Sequence, residues 1–140
     1  MDLQNEKCVM IIDDQLPLGI IANTTAIMGI TLGKEMPDVV GENVTDQNGN
    51  EHLGIIGVPV PILKGSPETI KEIREKLYQP DFQELTVVDF SDLAQSCNDY
   101  GDFTEKMGNA PESTLQYFGL AICGAKKKVN KLTGSMPLLR

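Results

Sequence analysis

The sequence predicts an α/β fold, with a mixed, mostly parallel sheet and helices on both faces. Three observations carry this. Cys8-Val9-Met10-Ile11-Ile12 is an uninterrupted apolar run closed by Asp13-Asp14, the pattern of a strand buried on both sides. Strand-like segments alternate with segments of helical spacing along the chain, as crossover connections require. Asn48-Gly49 stands between two strand-like stretches, the strongest short-range hairpin signal.

Each element has its own reason. Leu18 to Gly33 places Ile20, Ile27 and Ile30 at near-helical spacing; Gly33 is a natural stop, and Lys34 suits the C-terminal dipole. Val39 to Ile56 reads as a hairpin. Val58 to Leu63 reads as a strand pushed toward an edge or a bulge by Pro59 and Pro61, which lack a backbone N–H. Ser66-Pro67 opens a helix with a serine cap and a first-turn proline; Ile70, Ile73 and Leu77 form its stripe, and Pro80 ends it. Leu85 to Phe90 is the next strand. Ser91-Asp92 caps a helix running to about Tyr100, and Gly101 to Ser113 reads as loop or frayed helix. Leu115 to Cys123 is the last strand, and Gly124 turns it into a helix over Lys126 to Leu132.

Length and composition fit one domain over residues 1–140, with the hairpin at 39–56 inside it. With 41% hydrophobic and 23% charged residues the chain is an ordinary globular one, which excludes disorder. The net charge of −8 disfavours nucleic acid as a partner, because phosphate binding rests on Lys and Arg. The charge is uneven: no acid follows Glu112, whereas Lys126, Lys127, Lys128, Lys131 and Arg140 do. Cys8, Cys97 and Cys123 form no CxxC and are odd in number, so neither a disulfide framework nor a zinc site follows, and reduced, cytoplasmic residence is expected. The start, Met1 to Glu6, is polar and acidic, unlike a signal peptide. Leu16 to Leu32 carries no charge but is too short and too polar for a membrane span, so it reads as a buried helix.

Two stretches carry a resemblance. The first is Lys7 to Ile12 with Gln15-Leu16-Pro17-Leu18-Gly19 and Ala22-Asn23-Thr24-Thr25-Ala26. The second is Gly119 to Ala125, then Lys126 to Val129, Lys131 to Gly134 and Pro137-Leu138-Leu139. In order and spacing these resemble the first strand and helix, and the last strand, helix and tail, of type II peptidyl-tRNA hydrolases. That implies a peptidyl-tRNA hydrolase II-like fold whose relatives often pair, so a homodimer is expected. The reactive groups differ. Ile20 follows Gly19 where that family has Lys, and Ala26 stands near its His. The chain also resembles a bacterial family, domain of unknown function 2000, in Asn23-Thr24-Thr25-Ala26, in the Asp46 to Gly49 turn and in Gly124-Ala125-Lys126-Lys127-Lys128-Val129.

The residues offer several candidate ligand-binding groups. Gly124 with Lys126, Lys127 and Lys128 places cations at a helix N-terminus, where they oppose the dipole unless an anion relieves them; a solvated lysine face is the alternative. Gly19, Asn23 and Thr25 lie where the first strand gives way to its helix, a common ligand position in α/β sheets; hydroxyl bonds back to helix carbonyls are the alternative. Cys123 precedes a helix N-terminus and lysines, which lower a thiol pKa, but a buried strand cysteine is the plainer reading. Asp89 matches an acidic position of the hydrolases. His52 reads as a surface hairpin residue, and Asp13 and Asp14 as a polar strand end. No cofactor motif, metal set or nucleotide loop is present. The expected function is binding of a small anionic ligand or a peptide end. A divergent hydrolase using Asn23, Asp89 or Cys123 is the alternative, and a partner-binding protein with exposed Met36 or Met107 a third reading. Peptidyl-tRNA hydrolysis itself is disfavoured by the missing Lys and His.

Overall fold

A computed structural model describes residue 2 and residues 4–140; Met1 and Leu3, part of the polar start, lie outside the described residues. The elements run β1 (Glu6–Asp13), α1 (Leu18–Glu35), β2 (Val44–Thr45), β3 (Glu51–His52), β4 (Ile62–Gly65), α2 (Pro67–Lys76), β5 (Thr86–Ser91), α3 (Asp92–Ser96), α4 (Tyr100–Gly108), β6 (Tyr117–Ala125) and α5 (Lys126–Thr133). Among the described residues no helix is long and apolar enough to cross a membrane.

The main sheet is mixed, in the order β4-β1-β6-β5. It is not mostly parallel. Only β1 and β4 run parallel, while β6 lies between β1 and β5 and is antiparallel to both. Helix-bearing connections suggested parallel crossovers. The connection through α3 and α4 instead returns the chain to the end it left, since Ser91 and Tyr117 are register partners.

Strand alternation divides the core between two faces. Cys8, Met10, Ile12, Val88 and Phe90 face α1 through Met28 and Leu32. Val9, Ile11, Leu120 and Ile122 face α2 and α5 through Ile70, Ile73 and Val129. Helices therefore cover both faces, as expected. Gly119 admits α1 to close packing, because a Cβ there would lie 2.8 Å from Ile12 Cδ1 and 2.9 Å from Thr24 Cγ2.

Four expectations are corrected. The strand after the hairpin starts at Ile62 rather than Val58, since Pro59 and Pro61 cannot donate to a ladder. The helix capped by Ser91 stops at Ser96, and the segment expected as loop or frayed helix holds α4, capped by Asp99 Oδ1 accepting from Asp102 N at 2.8 Å. Only Thr24, Met28 and Leu32 of α1 are buried, so the charge-free helix is half exposed, with Leu18 at 81% and Ile30 at 76%. Cys8 and Cys123 are disulfide-bonded rather than reduced, with Cα atoms 4.2 Å apart. They are direct register partners across β1 and β6, a proximity that 115 residues of sequence separation hide.

The two edges of the sheet are treated differently. The C-terminal tail covers β4: Lys64 N donates to Pro137 O at 3.0 Å and Leu139 N to Ile62 O at 2.8 Å. At the other edge, β5 pairs with β6 and, among the described residues, with nothing beyond it.

The hairpin is present near the expected bounds, with Val40 bridged to Ile56 and β2 paired to β3. Asp46 builds its turn by accepting from Asn48 N at 2.9 Å and Asn50 N at 3.0 Å, and Gly49 takes φ +87°. His52 is exposed as expected, its Nε2 2.9 Å from Asp46 Oδ2. This contact, with the two N–H donors, holds the Asp46 carboxyl down at about 2.

Candidate functional site

The candidates from the sequence fall at opposite ends of the sheet. β1 and β6 are antiparallel, so α1 starts at one end and α5 at the other. Gly19, Asn23 and Thr25 lie in the first half of α1, where Asn23 and Thr25, two residues apart, point to different sides of the helix. Asn23 Nδ2 donates to Gln95 Oε1 at 3.2 Å, and Thr25 Oγ1 to Ala22 O at 2.8 Å. The neighbouring Thr24 hydroxyl returns to Ile20 O at 2.7 Å. Asp89 lies inside β5 and points toward α2, accepting from Arg74 Nε at 2.9 Å. The Arg74 guanidinium also stacks over the Tyr78 ring, 4.1 Å from its centroid.

Cys123, Gly124 and Lys126 to Lys128 are contiguous at the far end. The disulfide removes Cys123 as a titrating thiol. Gly124 takes φ +148°, and a Cβ there would lie 2.6 Å from Leu85 Cδ2, so this glycine is required by backbone shape and packing. Lys126 N donates to Asn5 O at 2.7 Å, and Lys128 pairs with Glu84. Lys126 also borders a hollow of about 250 Å³ shared with Glu6 and Lys7, so a carboxylate sits among the cations. Asn23, Asp89, Cys123 and Lys126 therefore do not converge on one pocket. A hydrolase built from them has no common reaction centre.

A cavity of about 430 Å³ lies elsewhere. Val88, Asp89, Phe90 and Ser91 all line it. These four consecutive residues, with a register irregularity between Phe90 and Ser91, place the cavity along the C-terminal half of β5, the edge strand of the sheet. Ile27 and Thr31 of α1 close one side; Ala94, Tyr100, Phe103 and Met107 close the other. Tyr100 and Phe103 pack edge to face at 5.6 Å, with Tyr100 79% exposed. The polar rim is Ser91, Asn98 and Asp99 with the free cysteine Cys97, whose Sγ donates to Leu93 O at 3.2 Å. Asp102 sits one turn into α4, and its carboxyl is held below the usual range by Asn98 N–H and the Lys106 ammonium. The rim is acidic, which suits a neutral or cationic ligand rather than the expected anion.

Sequence reasoning named Asp89 and Met107 separately and Ser91 as a cap, but did not bring them together with Ala94, Tyr100 and Phe103. Their signal was Asp99-x-x-Asp102 capping a segment with Tyr100, Phe103 and Met107 at helical spacing, an amphipathic helix read as loop or frayed helix. It also passed over Lys71, whose ammonium donates to Glu112 O at 2.6 Å, Glu112 Oε2 at 2.7 Å and Leu115 O at 3.0 Å above the Tyr117 ring. Burial pushes the Tyr117 phenol well above its ordinary value. That cluster ties α2 to the start of β6 and borders no cavity described above. Met36 and Met107 pack against the two cores rather than standing free. No group of three or more His, Cys, Asp or Glu is placed to hold a metal ion among the described residues.

A family described as "Protein of unknown function (DUF2000)" matches residues 6–140. A solved structure from Agrobacterium tumefaciens strain C58, titled as a protein of unknown function, is similar with a TM-score of 0.86. The two are 19% identical, and the similarity covers 96% of this chain and 97% of that one, which shows a shared fold. No curated protein matches the chain.

Proposed function

Because the chain belongs to the DUF2000 family, whose description assigns no chemistry, we propose a function from geometry alone: a non-catalytic module that captures an extended peptide along β5. The observation that carries this is the asymmetry of the sheet edges. One is covered by the chain's own tail, and the other is left open beside a cavity. An open edge presents unpaired N–H and C=O groups, the template for strand addition. Main-chain hydrogen bonds supply affinity in that mode, and a pocket for one side chain supplies specificity. Here Phe90, Ala94, Phe103 and Met107 fit an apolar side chain, and Asp99 favours a neutral or basic residue beside it.

Selection from a display library of short random peptides tests this. Peptides with an apolar residue followed by a basic one are expected to be enriched. Ala94→Arg, which fills the cavity, is expected to abolish their binding at unchanged fold. Failure to enrich any sequence above an unrelated control protein contradicts the proposal.

A second reading, an anion site at Lys126 to Lys128, is favoured by one observation: Ala125 gives α5 no side-chain cap, leaving the first-turn N–H groups after that of Lys126, which Asn5 O accepts, to other acceptors. Inorganic phosphate is then expected to raise the melting temperature, and neutralising the three lysines to remove that rise. Kinship of fold with type II peptidyl-tRNA hydrolases is supported by the motifs at both ends of the chain. With Ile20 and Ala26 in the positions noted above, the corresponding chemistry has no base here.

A further inference from the structure

We propose that the Asp89–Arg74 pair is a second specificity site of the β5 edge, selecting a carboxamide side chain (Asn or Gln) immediately before the apolar residue of the captured strand; this rests on the peptide-capture reading above. The register follows from the backbone. Met10 N donates to Pro61 O at 3.0 Å, so Met10 turns its hydrogen-bonding groups to the β4 side of β1. Opposed residues in an antiparallel ladder alternate between hydrogen-bonded and non-hydrogen-bonded pairs. Met10 and Ala121 are then a non-hydrogen-bonded pair of β1 and β6, and Ala121 turns its groups to Val88, its partner in β5. Alternation leaves Val87 and Asp89 with N–H and C=O toward the open edge. An antiparallel strand that pairs with both sets one residue opposite Val88 and the preceding residue opposite Asp89. Directly opposed residues share a face of the sheet. The residue opposite Val88 therefore lies on the α1 side, with Ile27 and Thr31 of the cavity, and the residue opposite Asp89 lies on the α2 side, with Arg74.

The pair has unfilled hydrogen-bonding capacity on that side. Arg74 Nε donates to Asp89 Oδ2, while among the described residues Asp89 Oδ1 and the two Nη groups of Arg74 have no partner. The Arg74 and Asp89 side chains are only 14% and 25% exposed, yet no buried side-chain polar atom lacks a partner among the described residues, so the unfilled atoms reach solvent. The Tyr78 ring, 4.1 Å from the guanidinium, fixes its plane. A carboxamide both donates and accepts, so it satisfies Asp89 Oδ1 and an Arg74 Nη–H together. An acidic side chain meets the Asp89 carboxylate and a basic one meets the guanidinium. An apolar one leaves both groups desolvated and unpaired. The ion pair is neutral as a unit, whereas the rim of the cavity is acidic, so the two faces of the edge select different chemistry.

Fluorescence anisotropy of peptides selected from the random library, titrated with the full chain, tests this. Asn or Gln is expected immediately before the apolar residue, and replacing it by Leu or Glu is expected to weaken binding about tenfold. Methylating the backbone nitrogen of that amide residue is expected to abolish binding, because its N–H pairs with Asp89 O. Methylating the nitrogen of the apolar residue, whose N–H points away from β5, is expected to leave binding unchanged. Arg74→Lys keeps a cation beside Asp89 but loses the planar fork. It is expected to lower the affinity of the amide peptide to that of its Leu counterpart, which itself stays unchanged. Selected peptides with no preference before the apolar residue, binding that tolerates the first methyl group, or an amide preference that survives Arg74→Lys overturns this site and leaves edge capture standing. A library that enriches nothing removes edge capture, and this site with it.

Discussion

Gly124→Ala separates a structural glycine from a ligand-loop glycine. Gly124 holds φ +148°, where an L side chain is strained by about 1–3 kcal/mol. The added Cβ would also sit 2.6 Å from Leu85 Cδ2 and 3.5 Å from Leu85 Cα. Overpacking of this kind costs about 1–3 kcal/mol, less where a flexible side-chain end yields. Together they predict a loss of about 2–5 kcal/mol. At about 4 °C per kcal/mol for a chain of this size, the melting temperature falls by about 8–20 °C. Thermal unfolding followed by circular dichroism measures it. Leu85→Ala supplies the control. It is destabilising alone, but combined with Gly124→Ala it removes the clash, so the double variant is less destabilised than the sum of the two. A melting temperature within about 2 °C of wild type for Gly124→Ala, or strict additivity in the cycle, refutes the assignment.

Other outcomes follow from the same contacts. Asp89→Asn leaves Arg74 half buried without its carboxylate and costs about 1–3 kcal/mol, read by urea unfolding. Asp46, folded at about 2 against 3.8 unfolded, contributes order to the hairpin turn that is fully present above pH 3.8 and lost as the pH falls through 2. Carboxyl chemical shifts of Asp46 and turn amide exchange follow that window, and Asp46→Asn loosens the turn at neutral pH. Peptide mapping without reductant recovers a Cys8–Cys123 linked pair with Cys97 alkylated, and reduction lowers stability by up to about 5 kcal/mol for a loop of 115 residues. Deleting Pro137 to Arg140 uncovers β4, removes two hydrogen bonds worth about 0.5–1.5 kcal/mol each and promotes concentration-dependent association.

Much of the framework is legible in the sequence because local signals and tertiary packing agree. The apolar run of β1, the Ser66-Pro67 cap, the Asp46 to Gly49 turn and the Gly124 hinge each name their element. What was missed lies in pairings that local pattern does not encode. The direction of β6 depends on where α3 and α4 return the chain, and Cys8 meets Cys123 only once β6 is inserted beside β1. The site was less legible still. Lysines, an asparagine and a cysteine attract attention by chemical type, yet they lie at opposite ends of the sheet. The cavity instead rests on Ala94, Phe103 and Met107, ordinary apolar residues whose importance comes from standing beside an uncovered strand. The charge-free stretch of α1 was read as interior, and half of it faces outward.

The measurement that tests the central claim most directly is residue-resolved amide exchange of β5 with and without a selected peptide. Capture along the open edge predicts that alternate amides of Thr86 to Ser91, those pointing away from β6, exchange at least tenfold more slowly with peptide bound, while β4 amides stay unchanged. Unchanged β5 exchange at saturating peptide, or protection centred on α5, would contradict it.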